Sequence, residues 1–225
     1  DWGIVFGAWV PAVLWGVAFA NIVRGVAIDE NKQYIGGFFD LLNPYALLGG
    51  ATTALVFALH GAVFIALKSA DEVREDAVAL AARLAVPAVV VAGSFVLWTQ
   101  LAYGKTWTWL LVGAAAAALL AVVALTRAER DGWAFVFTTV AIVGTVVLLF
   151  GSLFPNVMPS TLGDTLSLTI ENASSSPYTL KVMTWAAVIV TPVVLIYQGW
   201  TYWVFRQRIS TKHIPKSIGL SLGAK

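Results

Sequence analysis

The chain has 225 residues, of which 59% are hydrophobic and only 12% are charged, and its mean hydropathy is +0.82. A soluble domain normally carries about 25% charged residues, so the composition excludes an ordinary soluble protein and indicates a chain that needs lipid as its solvent. The lack of cysteine excludes disulfide frameworks, thiolate metal sites and cysteine-ligated haem, and the net charge of +2 gives no reason to expect a nucleic-acid partner.

Six stretches without a charged residue predict six transmembrane helices. Each stretch has at least 21 residues, and about 20 apolar residues span the hydrocarbon core as a helix. Their apolarity is continuous rather than alternating, which excludes a transmembrane barrel. We therefore predict an all-α, polytopic membrane protein with a single domain. Its spans are expected at about 3–28, 41–67, 84–103, 107–126, 132–154 and 180–205.

The first two spans carry proline and glycine at informative positions. Pro11 lies inside the first span, where neighbouring helices can satisfy the carbonyl group that a proline frees. Pro44 fits the first turn of the second span, and Gly49, Gly50 and Gly61 are expected to permit close helix contacts. The charged segment 68–83 that follows predicts a helix extension outside the membrane.

The connections in the second half differ greatly in length. The third and fourth spans are joined by a short turn at Gly104-Lys105 and should form an antiparallel hairpin. Residues 155–179 form the longest polar connection, an external loop, in which 167–170 alternates weakly and predicts a short strand or extended turn. Residues 206–225 are expected to form a cytoplasmic tail.

Lysine and arginine are distributed unequally between the two predicted faces of the membrane. Ten fall on one side and four on the other, which by the positive-inside rule places the C-terminus and Asp1 in the cytoplasm. The four on the outer side are Arg24, Lys32, Lys105 and Lys181. Because the chain begins without Met and enters a span almost at once, we also expect N-terminal sequence to be missing.

Few side chains within the spans could carry chemistry. His60 is a candidate for haem or metal ligation or for proton relay, since ionisable residues inside a membrane are functional candidates by default. No second ligand stands at a suitable spacing, so a packed, hydrogen-bonded helix contact is the preferred interpretation. Asn21 and Arg24 share a helix face, where they could contact a lipid or quinone head group. Thr99 and Gln100 favour hydrogen bonding between helices over substrate binding.

These residues leave two classes of function open. A secondary transporter would need broken helices and buried carboxylates near the midplane of the membrane. The spans contain almost no such carboxylates. A largely passive subunit of a membrane enzyme, whose cofactors lie in another chain, is therefore favoured.

Several segments resemble subunit II of the cytochrome bd-type quinol oxidases, in the order in which that family has them. They are DWGIVFGAWVPAVLWGVAFANIVRGV (1–26), GGFFDLLNPYALLGG (36–50), DGWAFVFTT (131–139), SLFPNVMPST (152–161), SLTIENASSSPYTLKVMTW (167–185) and YQGWTYWVFRQRI (197–209). Each match alone would be weak, but together they cover nearly the whole chain.

The resemblance implies a terminal oxidase of the bacterial plasma membrane. Such an enzyme oxidises quinol, reduces dioxygen to water and generates a proton-motive force without pumping. The resemblance implies that subunit I holds the b-type and d-type haems and that subunit II carries none. Subunit II is expected to have no catalytic or metal-binding residue of its own. It is expected to pair with subunit I and to stabilise it. It also allows a structural quinone, membrane lipids and a small single-helix subunit as further partners.

The resemblance also sets limits on individual residues. The full subunit is expected to have about nine spans, of which this chain resembles the last six, so no proton-path role is transferred to it. Family members can have Gln at the position of His60, and Gln cannot replace a haem-ligating histidine. The better candidates for quinone or lipid contacts are aromatic residues at span ends, although membrane anchoring and helix packing explain them more simply. They are Trp15, Trp98, Trp185 and Trp200.

Overall fold

The structure, a computed structural model that describes residues 2–207, contains six helices long and apolar enough to cross a membrane. In chain order the helices are α1 (Trp2–Arg24), α2 (Pro44–Lys68), α3 (Asp71–Tyr103), α4 (Trp109–Arg127), α5 (Asp131–Leu153), the short α6 (Ile170–Ala173) and α7 (Pro177–Val204). This confirms the predicted all-α, polytopic fold class. Most of the predicted tail, residues 208–225, lies outside the described residues.

The long helices alternate in direction, so the molecule has two ends. We call one the loop end: α1 ends there, α2 begins there, and residues 25–43 and 154–176 cover it. We call the other the charged end: α2 ends there, and α3 and α5 begin there with Asp71 and Asp131. These names describe the molecule alone and assign neither end to a side of a membrane.

Small side chains line the contacts among α2, α3, α4 and α5. Ala81, Ala85, Ala88 and Ala92 follow one face of α3 and are at most 3% exposed. They bring the backbones of neighbouring helices close together, which matters in lipid because association there depends on van der Waals packing. The residues packed around them come from the other three helices: Leu59, Val63, Leu119, Val122, Ala134 and Ala141.

Glycines bring α1 and α2 into contact. A Cβ atom on Gly49 would lie 2.7 Å from the carbonyl oxygen of Gly16 and 2.9 Å from the Cβ of Ala20. One on Gly50 would lie 3.0 Å from the carbonyl oxygen of Val13. The predicted close contacts are therefore confirmed at Gly49 and Gly50. The prediction is wrong at Gly61, where a Cβ would meet nothing within 4 Å.

The largest differences from the predicted spans are at the end of α1 and the start of α3. α1 ends at Arg24, not near residue 28, because Gly25 takes a positive φ of 86° and the Val26 N–H donates to the carbonyl of Pro159 at 3.1 Å. α3 begins at Asp71, so the charged segment continues the third helix beyond the predicted span, as expected. Asn43 caps α2 by accepting a hydrogen bond from the Ala46 N–H, with Pro44 in the first turn.

The two connections at the loop end are joined into one layer. Strands β1 (Asn156–Met158) and β2 (Leu168–Thr169) pair antiparallel, which confirms the short strand predicted within 167–170. Bridges then link Val26 to Ser160, and the Ser160 hydroxyl donates to the carbonyl of Ile28 at 2.8 Å. The layer holds the ends of α1 and α5 in a fixed relation to each other.

α7 stands apart from the five other long helices. None of its 28 residues is buried by contacts with the described part of the chain. A link to the rest of the chain occurs at the charged end, where Lys68 Nζ donates to the carbonyl of Phe205 at 3.3 Å. α7 is thus a long apolar helix whose surface is open along its length.

Candidate functional site

A network of asparagines joins α1 to α2 at the loop end. Asn21 is 5% exposed, and its Nδ2 donates to the carbonyls of Val17 at 2.9 Å and Leu41 at 2.8 Å. Its Oδ1 accepts from Asn43 Nδ2 at 2.9 Å. Both donor hydrogens of Asn21 are therefore used within the chain, and this side chain acts as a connector between two helices.

Arg24 occupies different surroundings from Asn21, although the two share a helix face as predicted. It is half-buried and lines a pocket of about 310 Å³ between the end of α1 and the start of α2. Asp40, Asn43 and Thr161 line the same pocket. Arg24 and Asp40 place opposite charges in one polar cavity at the loop end.

The backbone of the loop layer positions this pocket. The Thr161 N–H donates to the carbonyl of Val26 at 3.0 Å, which brings residue 161 beside the end of α1. Asp40 Oδ2 accepts from the Gly37 N–H at 2.7 Å, which fixes the carboxylate at a turn. Arg24 could be singled out from the sequence, but Thr161 could not, because only the long-range pairing of residues 26 and 160 reveals that they are neighbours.

Two further polar pairs hold the helices together near the same end. The hydroxyl groups of Tyr45 on α2 and Thr99 on α3 are 2.8 Å apart, and both side chains are buried. Gln100 bonds across the hairpin turn, to Thr108 Oγ1 at 2.8 Å and to the carbonyl of Lys105 at 3.0 Å. The polar turn predicted at the end of the third span therefore makes hydrogen bonds between helices.

His60 makes one hydrogen bond, to the neighbouring helix α5. Its Nδ1 lies 2.7 Å from Thr138 Oγ1, and its ring stacks on that of Phe135 at 4.7 Å between centroids. Thr138 Oγ1 also lies 2.9 Å from the carbonyl of Phe135, to which it donates. If the hydroxyl hydrogen is used in that way, Nδ1–H is the donor to Thr138 and the lone pair lies on Nε2.

A crevice of about 100 Å³ lies among helices α1 to α5, one turn along α2 from His60. It is lined mainly by apolar side chains, and the hydroxyl groups beside it are already engaged. Thr53 Oγ1 donates to the carbonyl of Ala12 at 2.6 Å, and Thr145 Oγ1 to that of Ala141 at 2.8 Å. The crevice therefore offers contacts to apolar groups only.

The structure does not bring the four candidate tryptophans together. Trp15 is 58% exposed in the middle of α1, where it stacks on Phe19, and Trp98 is 43% exposed on α3 beside Tyr45. Trp185 and Trp200 lie near opposite ends of α7 and are 61% and 60% exposed. None of them lines the crevice or the pocket beside Arg24.

A salt bridge at the charged end was not predicted from the sequence. Arg74 at the start of α3 places Nε and Nη2 at 3.1 and 2.8 Å from Asp131 Oδ2 at the start of α5. Glu129 is a weaker partner, 3.8 Å away and 64% exposed. The signal in the sequence was weak: Asp131 begins α5, and Arg74 lies in the first turn of α3, at the same end of the molecule.

Metal ligands are not gathered anywhere in the described part of the chain. Residues 2–207 contain no group of three or more His, Asp or Glu side chains close enough to hold a metal ion. His60 is the one histidine in this range. Among the described residues, the candidate sites are the polar pocket beside Arg24 and the apolar crevice near His60; a further apolar cavity of about 360 Å³ lies between α1, α2 and Leu80 of α3.

Known proteins were similar to the chain along nearly its whole length. The family described as cytochrome bd terminal oxidase subunit II matches residues 1–205. The chain is 35% identical over 218 residues to cytochrome bd ubiquinol oxidase subunit 2 of Bacillus subtilis (strain 168), a match that covers 94% of this chain and 64% of that protein. It is 30% identical over 255 residues to cytochrome bd-I ubiquinol oxidase subunit 2 of Escherichia coli (strain K12), covering 96% and 67%.

A third relative, the probable cytochrome oxidase subunit 2 of Haemophilus influenzae, is also 30% identical, with 96% of this chain and 67% of that protein covered. The chain thus spans about two thirds of the length of these relatives. The agreement extends through all six long helices and the loop layer. The chain belongs to the cytochrome bd terminal oxidase subunit II family.

Proposed function

We propose that this chain acts as the haem-less second subunit of a bd-type terminal oxidase. The whole enzyme oxidises quinol, reduces dioxygen to water and generates a proton-motive force without pumping. In it, this chain pairs with the haem-bearing subunit I and stabilises it. The observation that carries the proposal is the family match over residues 1–205.

The placement of carboxylates supports a passive role. Within the six long helices, Asp and Glu occur only in the first two turns of α3 and at the first residue of α5. A chain that moved ions or protons by itself would need carboxylates deeper in the membrane. The secondary-transporter alternative would require substrate-dependent flux in liposomes that contain only this subunit.

The residues around His60 do not fit a haem. One face of the imidazole is covered by Phe135, and residues 2–207 contain no second histidine and no cysteine that could serve as the other axial ligand. The neighbouring crevice holds about 100 Å³, whereas cofactor sites occupy about 300–1,000 Å³. We therefore derive no step through a haem in this chain. The b-type and d-type haems are assigned to subunit I by the family resemblance.

The unpartnered helix α7 supports the pairing role. None of its residues is buried against the described residues 2–207, yet the mean hydropathy of 1.9 in its most apolar 18-residue segment makes water an unsuitable neighbour. We propose that α7 contributes to the contact with subunit I. A photo-crosslinking group at Val190, which is 55% exposed, should yield an adduct with subunit I in the intact complex. Adducts with lipid alone would contradict this placement.

We propose that the charged end faces the cytoplasm, because it carries the larger share of Lys and Arg. The lack of native cysteine makes this testable by single-cysteine labelling. A membrane-impermeant maleimide added outside cells should label Glu30→Cys at the loop end and leave Glu72→Cys at the charged end unmodified. The reverse labelling pattern would overturn the orientation.

Co-expression tests the functional proposal as a whole. Cells that lack other terminal oxidases should show quinol oxidation coupled to dioxygen consumption only when the full-length subunit and subunit I are both expressed. Purification through a tag on either subunit should recover the other one. Full activity of subunit I in the absence of this subunit would contradict the stabilising role.

A further inference from the structure

The pocket beside Arg24 has the properties of a ligand site that the oxidase function does not require. It encloses about 310 Å³ at the loop end, and the polar side chains of Arg24, Asp40, Asn43 and Thr161 are among those that line it. It lies at the end of α1, a 23-residue apolar helix long enough to cross the hydrocarbon core. The pocket is therefore placed at the depth where lipid head groups meet water.

Arg24 brings a cation to this pocket, and the described part of the chain gives it no hydrogen-bond acceptor. Within residues 2–207 its guanidinium makes no hydrogen bond and no ion pair, although the side chain is half-buried. A guanidinium has five N–H donors in a planar fork that matches phosphate or carboxylate oxygens. The negative end of the α1 dipole favours the positive charge of Arg24. Some of the last carbonyl groups of α1 already accept hydrogen bonds from other backbone N–H groups.

Two other cations at the loop end, Lys32 and Lys105, are used differently. Lys32 Nζ donates to the carbonyls of Thr165 at 3.2 Å and Ser167 at 3.4 Å. Lys105 Nζ donates to the carbonyl of Phe154. Each lysine therefore joins two parts of the chain, whereas Arg24 faces a cavity with its donors unused.

Asp40 supplies the opposite charge at the same pocket. Its Oδ2 accepts from the Gly37 N–H at 2.7 Å, which leaves Oδ1 available. No ion pair joins Asp40 to Arg24, although both line the cavity. The Asn43 amide is already bonded to Asn21 and to the carbonyl of Asp40. The free polar groups are thus a cation, a carboxylate oxygen and the Thr161 hydroxyl.

We infer that this pocket binds the head group of a zwitterionic phospholipid, with the phosphate on Arg24 and a primary ammonium on Asp40. A bidentate contact between guanidinium and phosphate is among the strongest hydrogen-bonded pairs in proteins. The Thr161 hydroxyl donates to a second phosphate oxygen. A quinone head group satisfies this pocket less well, because it is neutral and has no ammonium group for Asp40.

Native mass spectrometry of the detergent-purified complex tests the assignment. Phosphatidylethanolamine and phosphatidylglycerol with identical acyl chains serve as probes, since they share the phosphate and differ in the ammonium. Arg24→Gln should weaken binding of both lipids by roughly tenfold or more, as expected for loss of a charged hydrogen-bonded partner. Asp40→Asn should reduce only the preference for phosphatidylethanolamine, by about two- to fivefold, because Asp40 is exposed.

Controls separate a built site from general surface charge. Lys181→Gln removes an exposed cation at the same end, outside the pocket, and should leave lipid binding unchanged. Asp40→Asn keeps an oxygen for the Gly37 N–H, so the turn is preserved. If Arg24→Gln fails to assemble, Arg24→Lys, which keeps the charge but not the fork, should assemble and bind both lipids more weakly than the wild type.

Three results would overturn the inference. One is unchanged lipid binding in the assembled Arg24 variants. Another is equal weakening by Lys181→Gln. The third is displacement of the bound lipid by inorganic phosphate at millimolar concentration, which would identify the pocket as a site for a small free anion.

Discussion

The most apolar 18-residue segments of helices α2 and α7 have the same mean hydropathy, 1.9, but opposite surroundings. In the most apolar window of α2, 44% of residues are buried inside the protein, and in that of α7 none is. The difference lies in side-chain size. α2 contains six Ala and three Gly in 25 residues, whereas α7 contains two Ala and one Gly in 28. Hydropathy places a helix in the membrane, and small residues decide which helices pack within the chain.

The bulky surface of α7 has a consequence for the complex. Its exposed side chains are large and include Trp185 and Trp200, which are 61% and 60% exposed. Large side chains keep neighbouring backbones apart, so α7 is suited to lipid or to a separate subunit rather than to the alanine-lined bundle. Substitutions in the bundle should therefore change the stability of this chain itself.

The largest effect is expected where α1 touches α2. In Gly49→Val the new Cβ atom would lie 2.7 Å from the carbonyl oxygen of Gly16, so the backbones of α1 and α2 must separate. Overpacking of this kind costs about 3 kcal/mol. Thermal unfolding of the purified complex, followed by tryptophan fluorescence, should show a Tm lower by several degrees. Gly61→Val, on the same helix but in open space, should have little effect, and equal losses in the two variants would contradict the glycine contact.

A smaller loss is expected at the salt bridge between α3 and α5. Arg74→Met keeps the length of the side chain but leaves Asp131, whose side chain is 10% exposed, without its guanidinium partner. Leaving a charged acceptor unpaired costs about 1–3 kcal/mol, and the partial exposure of Arg74 places the value at the lower end. Glu129→Gln, which alters the 64% exposed partner, should be nearly neutral in the same unfolding assay. A larger loss with Glu129→Gln would reverse the assignment of the dominant pair.

The smallest effect is expected from the loss of one hydroxyl group. We compare this loss between a buried tyrosine on α2 and an exposed tyrosine on α7. Tyr45→Phe removes the hydrogen bond of 2.8 Å to Thr99, and hydrogen bonds between membrane helices contribute about 0.6 kcal/mol on average. Tyr197 on α7 is 60% exposed and has no hydrogen bond among residues 2–207. Tyr197→Phe should therefore leave the Tm of this subunit unchanged. No loss for Tyr45→Phe in a chemical-denaturation series would contradict the role of the buried pair.

The sequence predicted features that depend on local composition. Charge-free stretches predicted the six helices, and Pro44 correctly indicated the first turn of α2. The end of α1 was missed because Gly25 turns in response to Pro159, a contact across more than 130 residues that no local pattern contains. The open surface of α7 could not be predicted for a related reason. Its apolar pattern resembles that of a buried helix, and only the tertiary arrangement reveals that no part of residues 2–207 buries it.

The candidate site was predictable in part. His60 and Arg24 were identified because charged or titratable groups are rare in membrane spans. The partners of Arg24 in its pocket, Asp40 and Thr161, come from two separate loops and required the fold. The four tryptophans remain predictions as quinone or lipid contacts. Their exposure is compatible with membrane anchoring, which needs no specific ligand.

The most direct test of the central claim is a reduced-minus-oxidised absorbance spectrum, with haem counted per subunit. The full-length subunit purified alone should show no haem absorbance. The complex with subunit I should show b-type and d-type bands, and His60→Ala should leave these bands unchanged. Haem retained by the isolated subunit and lost in His60→Ala would contradict the account of a haem-less partner.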